Sequence, residues 1–335
     1  MPTPPPQHPL ARFARLVHGG PLRPARGSGL PFRPPIPIMS STPETRDDDA
    51  AEGFLVEAPA KTNLSLRILG KREDGFHEID TRMVALDLAD RLRLRWREDD
   101  RVVLECSDPD LPLGEDNLAV KAVRALEAHT GKTLAVTIEL EKRIPSGAGL
   151  GGGSSDAAAV LRALDEMAAL GLPEEELADV GAGIGSDVPF FVYRRPCLCR
   201  GRGEIVEPLT DPPPALPLLL VKPPFGIPAA WAYSRYAASS RYEGFCYEVQ
   251  EGPWGSMEND LERPVFEKFP LLGEMKGWLL DQDEVAAALL SGSGSTMLAV
   301  LHPEAAGDTA AGASLVDRVR ARYGESFWTY LGSSC

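Results

Sequence analysis

From Pro145 to Ala159 the chain reads PSGAGLGGGSSDAAA, and six of the nine residues from Gly147 to Ser155 are glycine or alanine. A loop this bare lets several backbone N–H groups converge on one cavity, and the helix it opens adds partial positive charge at its N-terminus. Ser154 and Ser155 bring hydroxyls that cap the helix or reach an oxygen ligand. Together these make a cradle for a phosphate chain. A Walker A loop needs lysine after the glycines, where this chain has Ser154 and Ser155. Gly147, Gly149 and Gly152 satisfy G-x-G-x-x-G. The strand before them alternates, however, and no acid follows about 20 residues on at a strand end, as dinucleotide folds require. A glycine turn serving packing alone would cost chain entropy for no packing gain.

Other residues could act on a phosphate held there. Asp187, in 183-GIGSDVPFFV, is read at a turn just before a strand. A carboxylate at a strand mouth could take the proton of an attacking hydroxyl. The same residue could equally cap or form an Asx-turn, and spacing leaves both open. Lys61 precedes Asn63 by two residues on a strand, so the two side chains share a face. A lysine there could keep a carboxylate ionised or stabilise charge on a moving phosphoryl group, although a lone lysine is ordinarily a solvated one. Phe76 and His77 follow the turn signal Asp74-Gly75. Taken alone they read as loop packing and a structural histidine. Cys197 and Cys199 form a C-x-C without a second pair, and ordinary strand cysteines explain them better than a metal site.

The elements that must position these groups are legible in outline. Leu64, Leu66 and Ile68 alternate with Ser65 and Arg67 as a half-buried strand. A second strand spans 86–96, with Leu86, Leu88, Leu92, Leu94 and Trp96 on one face and Arg91, Arg93 and Arg95, followed by Arg97, on the other. Asn117 caps a helix that Gly131 stops, Leu134 to Leu140 alternate as a third strand, and an alanine-rich helix runs from about Ser155 to Leu170. A further strand is expected at 190-FFVY. Beyond Pro208 the pattern predicts a strand (216–221), an irregular aromatic stretch (231–256), helices (259–290), a strand (296–301), a helix (312–323) and a strand (327–331). Strands and helices intermix without a βαβ rhythm, which favours α+β in two halves.

Four segments in order and spacing carry a resemblance: the glycine loop; 58-APAKTNLSLRILGKREDGFHEIDT; 183-GIGSDVPFFV with 201-GRGEIVEPL; and 259-NDLE with 291-SGSGSTMLAVL. They resemble the GHMP kinases (galactokinase, homoserine kinase, mevalonate kinase, phosphomevalonate kinase) over about residues 54–333. The branch they are most similar to acts on a cytidylyl-linked methylerythritol. The resemblance implies an N-terminal domain like ribosomal protein S5 domain 2 and a ferredoxin-like C-terminal domain, with the site between. It implies ATP with Mg²⁺, and nucleotide contacts at Pro145, Ser146, Gly147, Ala148, Gly149, Leu150, Gly151, Gly152, Gly153, Ser154 and Ser155. Asp187 becomes the catalytic base and Lys61 the second catalytic residue, with Asn63 near the acceptor hydroxyl. Phe76, His77 and Tyr233 become the substrate clamp, with cytosine between Phe76 and Tyr233 and a hydrogen bond from His77. Thr62 departs from a usual aliphatic residue, and 239–256 matches no family motif. The rivals are another kinase of the family, mevalonate-type or homoserine kinase, and a non-catalytic binding protein on the same fold.

Composition sets the outer bounds. The 335 residues carry a net charge of −14, which argues against general attraction to nucleic acid or anionic lipid. Residues 1–38 hold five arginines, no lysine, no acid and 11 of the 31 prolines, so the other 297 residues carry −19. Such a segment buries too little apolar surface to order itself. The expected organisation is a coreless tail over 1–53, a domain over 54–207 and another over 208–335. Met39 is expected to begin the functional chain, with a targeting peptide as the alternative reading of the tail. Apolar runs such as 218-LLLV are far too short for a membrane span. Five scattered cysteines and no apolar signal run point to reduced thiols in a cytosol-like, cytoplasmic setting. The expected partner is a small-molecule substrate.

Overall fold

The alternation that begins at Asn63 belongs to a longer strand, β1 (Phe54–Lys71), paired antiparallel with β2 (His77–Trp96) in one long hairpin. The computed structural model describes residues 53–252, 255–303 and 309–335, side chains of 309–311 excepted. The expectations for a coreless N-terminal tail and a start at Met39 lie outside the described residues. β3 (Val102–Cys106) and β4 (Val136–Glu141) extend the sheet beyond β2, while β5 (Cys197–Gly201) pairs with the other end of β2 and with β6 (Ile205–Pro208). Against one face of this sheet lie α1 (Leu118–Thr130), α2 (Gly152–Met167), α3 (Glu174–Ala182) and α4 (Val188–Tyr193). Asn117 caps α1 as expected, its side chain accepting from the Ala119 N–H, and Gly131 closes the helix at φ 68°.

A second, antiparallel sheet has the order β10-β11-β7-β12, formed by β7 (Pro217–Lys222), β10 (Val285–Leu290), β11 (Met297–Leu301) and β12 (Trp328–Ser333). Between β7 and β10 come α5 (Ala229–Tyr236), β8 (Gln250–Gly252), β9 (Gly255–Asn259), α6 (Glu262–Lys268) and α7 (Pro270–Leu280); α8 (Thr309–Tyr323) precedes β12. β9 returns to the first sheet and runs parallel to β1. Leu218, Leu220, Leu298 and Val300 pack toward Leu64, Val84 and Leu86 of the first sheet. Leu219, Val221, Met297 and Ala299 pack the other way, onto Phe266, Leu272 and Met275. That is why 218-LLLV is apolar without a break: both faces of its strand are covered. The layers therefore run helices, sheet, sheet, helices. No helix among the described residues is long and apolar enough to cross a membrane.

Four expectations are corrected. The run 190-FFVY is helical, within α4, with Pro189 in its first turn and Arg194 closing it in the left-handed conformation. Short apolar runs are ambiguous between strand and buried helix, and the fixed φ of proline suits a helix start. Residues 285–290, expected as helix, form β10, and the aromatic stretch 231–256 contains most of α5, all of β8 and the start of β9. The single face expected for 86–96 is split. Leu86 and Leu88 pack against the second sheet while Leu92 and Leu94 pack under the helices, and Trp96 is exposed. The pairing of β1 with β2 shifts register between Pro59 and Lys61, opposite 86–88, and such an irregularity changes which face a strand's residues meet.

In the second half Lys276 donates to Glu262 at 2.6 Å, and Glu262 also accepts the Leu290 N–H at 3.0 Å. Burial pushes the Glu262 carboxyl up, and the Lys276 ammonium opposes it. The pair ties α6 and α7 to the end of β10, where the 291-SGSGS turn begins. Removing one partner leaves the other charge buried alone, so Lys276→Met should lower unfolding stability by about 3–5 kcal/mol in denaturant titration. Pairing it with Glu262→Leu should recover most of that loss; an additive double variant would show the pair is not coupled.

Candidate active site

The glycine loop takes its shape from backbone that only glycine adopts readily. Gly147, Gly149 and Gly151 have φ of 63°, 76° and 72°. At Gly149 a Cβ would run into the carbonyl oxygens of Ser291 and Gly294, and at Gly151 into Phe191 and the Lys61 stem. The Leu150 carbonyl accepts the Lys61 N–H at 2.9 Å, the Ala148 carbonyl accepts the Thr296 N–H at 3.3 Å, and Ser291 Oγ donates to the Gly149 carbonyl at 3.2 Å. Thr62, the departure from an aliphatic residue, is buried and donates to Ser291 Oγ at 3.1 Å. The turn 291-SGSGS thus packs beside the glycine loop. α2 starts at Gly152, without a side-chain cap, so its first N–H groups are left for a ligand.

A cavity of about 1030 Å³ is lined by Lys61, Asn63, Phe76, His77, Asp187 and Tyr233 together with Pro145, Ser146, Gly147, Ala148, Gly149, Leu150, Gly151, Gly152, Gly153 and Ser154. Ser155 stands apart. It is buried within α2, its hydroxyl has no hydrogen-bond partner, and it does not line the cavity.

Lys61 Nζ lies 3.5 Å from Asp187 Oδ2 and donates to Asn63 Oδ1 at 2.8 Å. The lysine side chain is 6 % exposed and the aspartate 33 %, so this ion pair is shielded on one side and open to the cavity on the other. Asp187 stands at the head of α4 rather than before a strand, and its side chain makes no cap hydrogen bond. The carboxylate is therefore not consumed by the helix it precedes.

The aromatic residues come together differently from the expected order. His77 stacks on Tyr233, with centroids 5.6 Å apart and planes 28° from parallel. Phe76 is 49 % exposed, with the Arg202 guanidinium 5.0 Å from its ring centroid. Burial, reinforced by the Lys71 charge, pushes the His77 imidazole below its ordinary range, which favours the neutral ring. Burial pushes the Tyr233 phenol up.

Comparison with known proteins decides the family. A model of the GHMP kinases N terminal domain matches residues 117–195. The chain is 41 % identical over 271 residues to a 4-diphosphocytidyl-2-C-methyl-D-erythritol kinase of Syntrophotalea carbinolica, covering 78 % of this chain and 93 % of that relative. It is a GHMP kinase. A crystal structure of a 4-(cytidine 5'-diphospho)-2C-methyl-D-erythritol kinase superposes with a TM-score of 0.65 at 33 % identity, over 84 % of this chain and 99 % of that one. Homoserine kinase from Cytophaga hutchinsonii, at 18 % identity, 88 % and 97 % coverage and a TM-score of 0.62, shares the fold. The architecture is the two-domain α+β fold of GHMP kinases, with an N-terminal sheet-and-helix domain and a ferredoxin-like sheet domain after it. A GHMP kinase is an enzyme of ATP-dependent phosphoryl transfer to a small-molecule acceptor.

This GHMP kinase also lines its cavity with groups that sequence reading passed over. Lys142 sits between two buried carboxylates, donating to Asp90 and, at 2.7 Å, to Asp156 in α2. Asp90 further accepts the N–H groups of Arg143 and Ile144. Its three bonds hold the chain as it enters the glycine loop, while Asp156 holds it as it leaves. The signal lay in Asp90, an acid in a strand otherwise apolar on that face, but its partner 52 residues away was not visible. Burial pushes the Asp156 carboxyl up to about 7, with Lys142 pulling against it. A carboxyl whose pKa rises on folding stabilises the native state below its unfolded pKa, near 4. That contribution is lost as pH rises through about 7. Thermal unfolding scans from pH 5 to 8.5 should therefore show a falling Tm that Asp156→Asn flattens; parallel profiles would remove Asp156 as the source.

Proposed function

We propose that this GHMP kinase transfers the γ-phosphoryl group of ATP to the 2-hydroxyl of the methylerythritol part of 4-diphosphocytidyl-2-C-methyl-D-erythritol, a step toward isoprenoid precursors by the non-mevalonate route. The observation that carries the reading is one cavity lined by a phosphate cradle, a lysine–carboxylate pair and an aromatic group. Relatives of that printed name at 41 % and 39 % identity support it. An acceptor without a nucleobase would have no use for the aromatic group.

In this reading Asp187 takes the acceptor proton as the hydroxyl oxygen bonds to the γ-phosphorus and the bond to the bridging oxygen breaks, releasing ADP. Lys61 stays paired with Asp187 and offers its remaining protons to the equatorial oxygens. The glycine-loop N–H groups and the α2 N-terminus hold the phosphates. The bare loop fits a nucleotide carrying Mg²⁺, and of Ser154 and Ser155 it is Ser154 whose residue lines the cavity. Mg²⁺ supplies charge neutralisation on the β and γ oxygens.

The cytosine would stack on Tyr233. A base between two rings needs them ~7 Å apart, twice the contact distance, so the 5.6 Å spacing of His77 and Tyr233 requires His77 to give way. The neutral imidazole then meets the base edge as a hydrogen-bonding group.

Coupled ADP-release assays run in parallel on the cytidylyl substrate, mevalonate and homoserine test the acceptor. Turnover confined to the first is the expected result, and preference for either other acceptor rejects the proposal. Asp187→Asn keeps size and removes the base. It should leave the ATP KM near wild type and lower kcat by about 10²–10⁴-fold, whereas kcat within a few-fold of wild type would show that Asp187 is not the base. Tyr233→Ala loses one stacking face worth ~1–3 kcal/mol, so the KM for the cytidylyl substrate should rise by roughly 5–150-fold. Tyr233→Phe should behave as wild type, and an unchanged KM in Tyr233→Ala would discard the clamp.

A further inference from the structure

Thr81 is buried within β2, does not line the cavity, and is hydrogen-bonded in a way that leaves no choice of direction. Its Oγ1 donates to the Ser65 carbonyl at 2.6 Å, and the Asn63 Nδ2 lies 2.7 Å from the same Oγ1. A hydroxyl has one proton. With that proton on Ser65, Thr81 offers Asn63 only lone pairs, so the amide must turn its NH₂ toward Thr81. At the other end of the amide, Lys61 Nζ is a donor without acceptor capacity, and it meets Asn63 Oδ1 at 2.8 Å. Reversing the amide would set NH₂ against an ammonium and a carbonyl oxygen against a lone pair, losing both bonds in a buried site.

We propose that Thr81 is a positioning residue for phosphoryl transfer: it fixes which end of the Asn63 amide faces Lys61, and thereby how the Lys61 ammonium is presented to Asp187. The proposal rests on the reading of Lys61 and Asp187 as the reacting pair. At 3.5 Å the contact between those two is long for a charge-assisted hydrogen bond. The lysine's direction therefore depends on its shorter bond to Asn63. The strand geometry makes the relay possible. Register shifts between Asn63 and Ser65, where two steps along β1 answer one along β2, and the Ser65 carbonyl meets the Thr81 hydroxyl beside that irregularity. On its other side β2 pairs with β5, Thr81 facing Cys199, so the threonine is held in the middle of three strands. It touches neither acceptor nor nucleotide in this arrangement, and any effect on turnover passes through Asn63.

The test is steady-state kinetics with the acceptor that turns over in the substrate panel, on full-length folded variants checked by thermal unfolding. Thr81→Val keeps the shape and removes the hydroxyl. It should lower kcat by about 10–100-fold, the scale of a misplaced reacting group, with the KM for ATP within about two-fold of wild type. Thr81→Ser restores the hydroxyl and should return kcat to within a few-fold. In an Asn63→Leu background, where no amide remains to be oriented, Thr81→Val should change kcat by less than about two-fold. If Thr81→Val does not fold, Thr81→Ala carries the same expectations. An undiminished kcat in Thr81→Val beside an inactive Asp187→Asn would overturn the positioning role and leave the reacting pair standing. Equal losses in Thr81→Ser and Thr81→Val, or an undiminished effect in the Asn63→Leu background, would overturn it as well, by showing a structural effect. Turnover retained by Asp187→Asn would overturn both.

Discussion

The backbone of the glycine loop is gripped from two sides, by the Lys61 N–H on the Leu150 carbonyl and by the Thr296 N–H on the Ala148 carbonyl, and the remaining architecture serves that grip. The three segments it joins come from β1, from the approach to α2 and from the turn between β10 and β11. Each hydrogen bond adds about 0.5–1.5 kcal/mol net, too little to hold a glycine-rich loop alone. What holds it is the absence of room. A Cβ at Gly149 or Gly151 would already collide with the neighbouring turn or with Phe191 and Lys61. Close packing on both sides replaces the stiffness that glycine lacks, so the loop's N–H groups are arranged before a ligand arrives.

Two stacked sheets make such close approach possible. The first sheet presents Leu64, Val84 and Leu86 to Leu218, Leu220 and Val300 of the second, and the strand that carries Lys61 and the 291-SGSGS turn belong to opposite sheets. Helices seal the outer faces, so each strand near the site is fixed from above and below. Two of the three irregularities in the β1–β2 hairpin fall at Pro59–Lys61 and Asn63–Ser65, on either side of the Lys61–Asn63 segment. A regular ladder would carry Lys61 and Asn63 with ordinary strand geometry; these shifts surround them with buried neighbours on both faces.

Among the described residues three lysines hold carboxylates away from water, and each links separate elements: Lys61 with Asp187, Lys142 with Asp90 and Asp156, and Lys276 with Glu262. Buried ion pairs are poor sources of net stability, because desolvation offsets attraction. Their effect here is geometric. The Lys142 cluster fixes both ends of the glycine loop, and the Glu262 pair fixes the strand end that leads into the opposing turn. Lys61 and Asp187 differ in remaining half open to the cavity, where a charged pair has something left to do.

The sequence alone determined the features whose cause is local. The glycine loop is legible because other residue types rarely adopt its backbone, the Asn117 cap and Gly131 stop because both act within one turn, and the strands at Asn63 and Leu134 because their alternation reports one face more buried than the other. Residues 61, 63, 76, 77, 187, 233 and 145–155 stand out in the sequence, and all but Ser155 line one cavity. Tertiary structure decided whatever depended on a partner far along the chain. The run 190-FFVY is helical because α4 buries it under the first sheet, and a four-residue apolar string holds no period by which to tell. Leu86 and Leu92 face different cores because an irregular pairing with β1 intervenes. The stacking of His77 rather than Phe76 on Tyr233 follows from where α5 lies over the hairpin, and Lys142 and Thr81 acquire their partners only on folding. Hydrogen bonds and ion pairs between segments 14 to 53 residues apart or more leave no local pattern, because their donors and acceptors are chosen by packing.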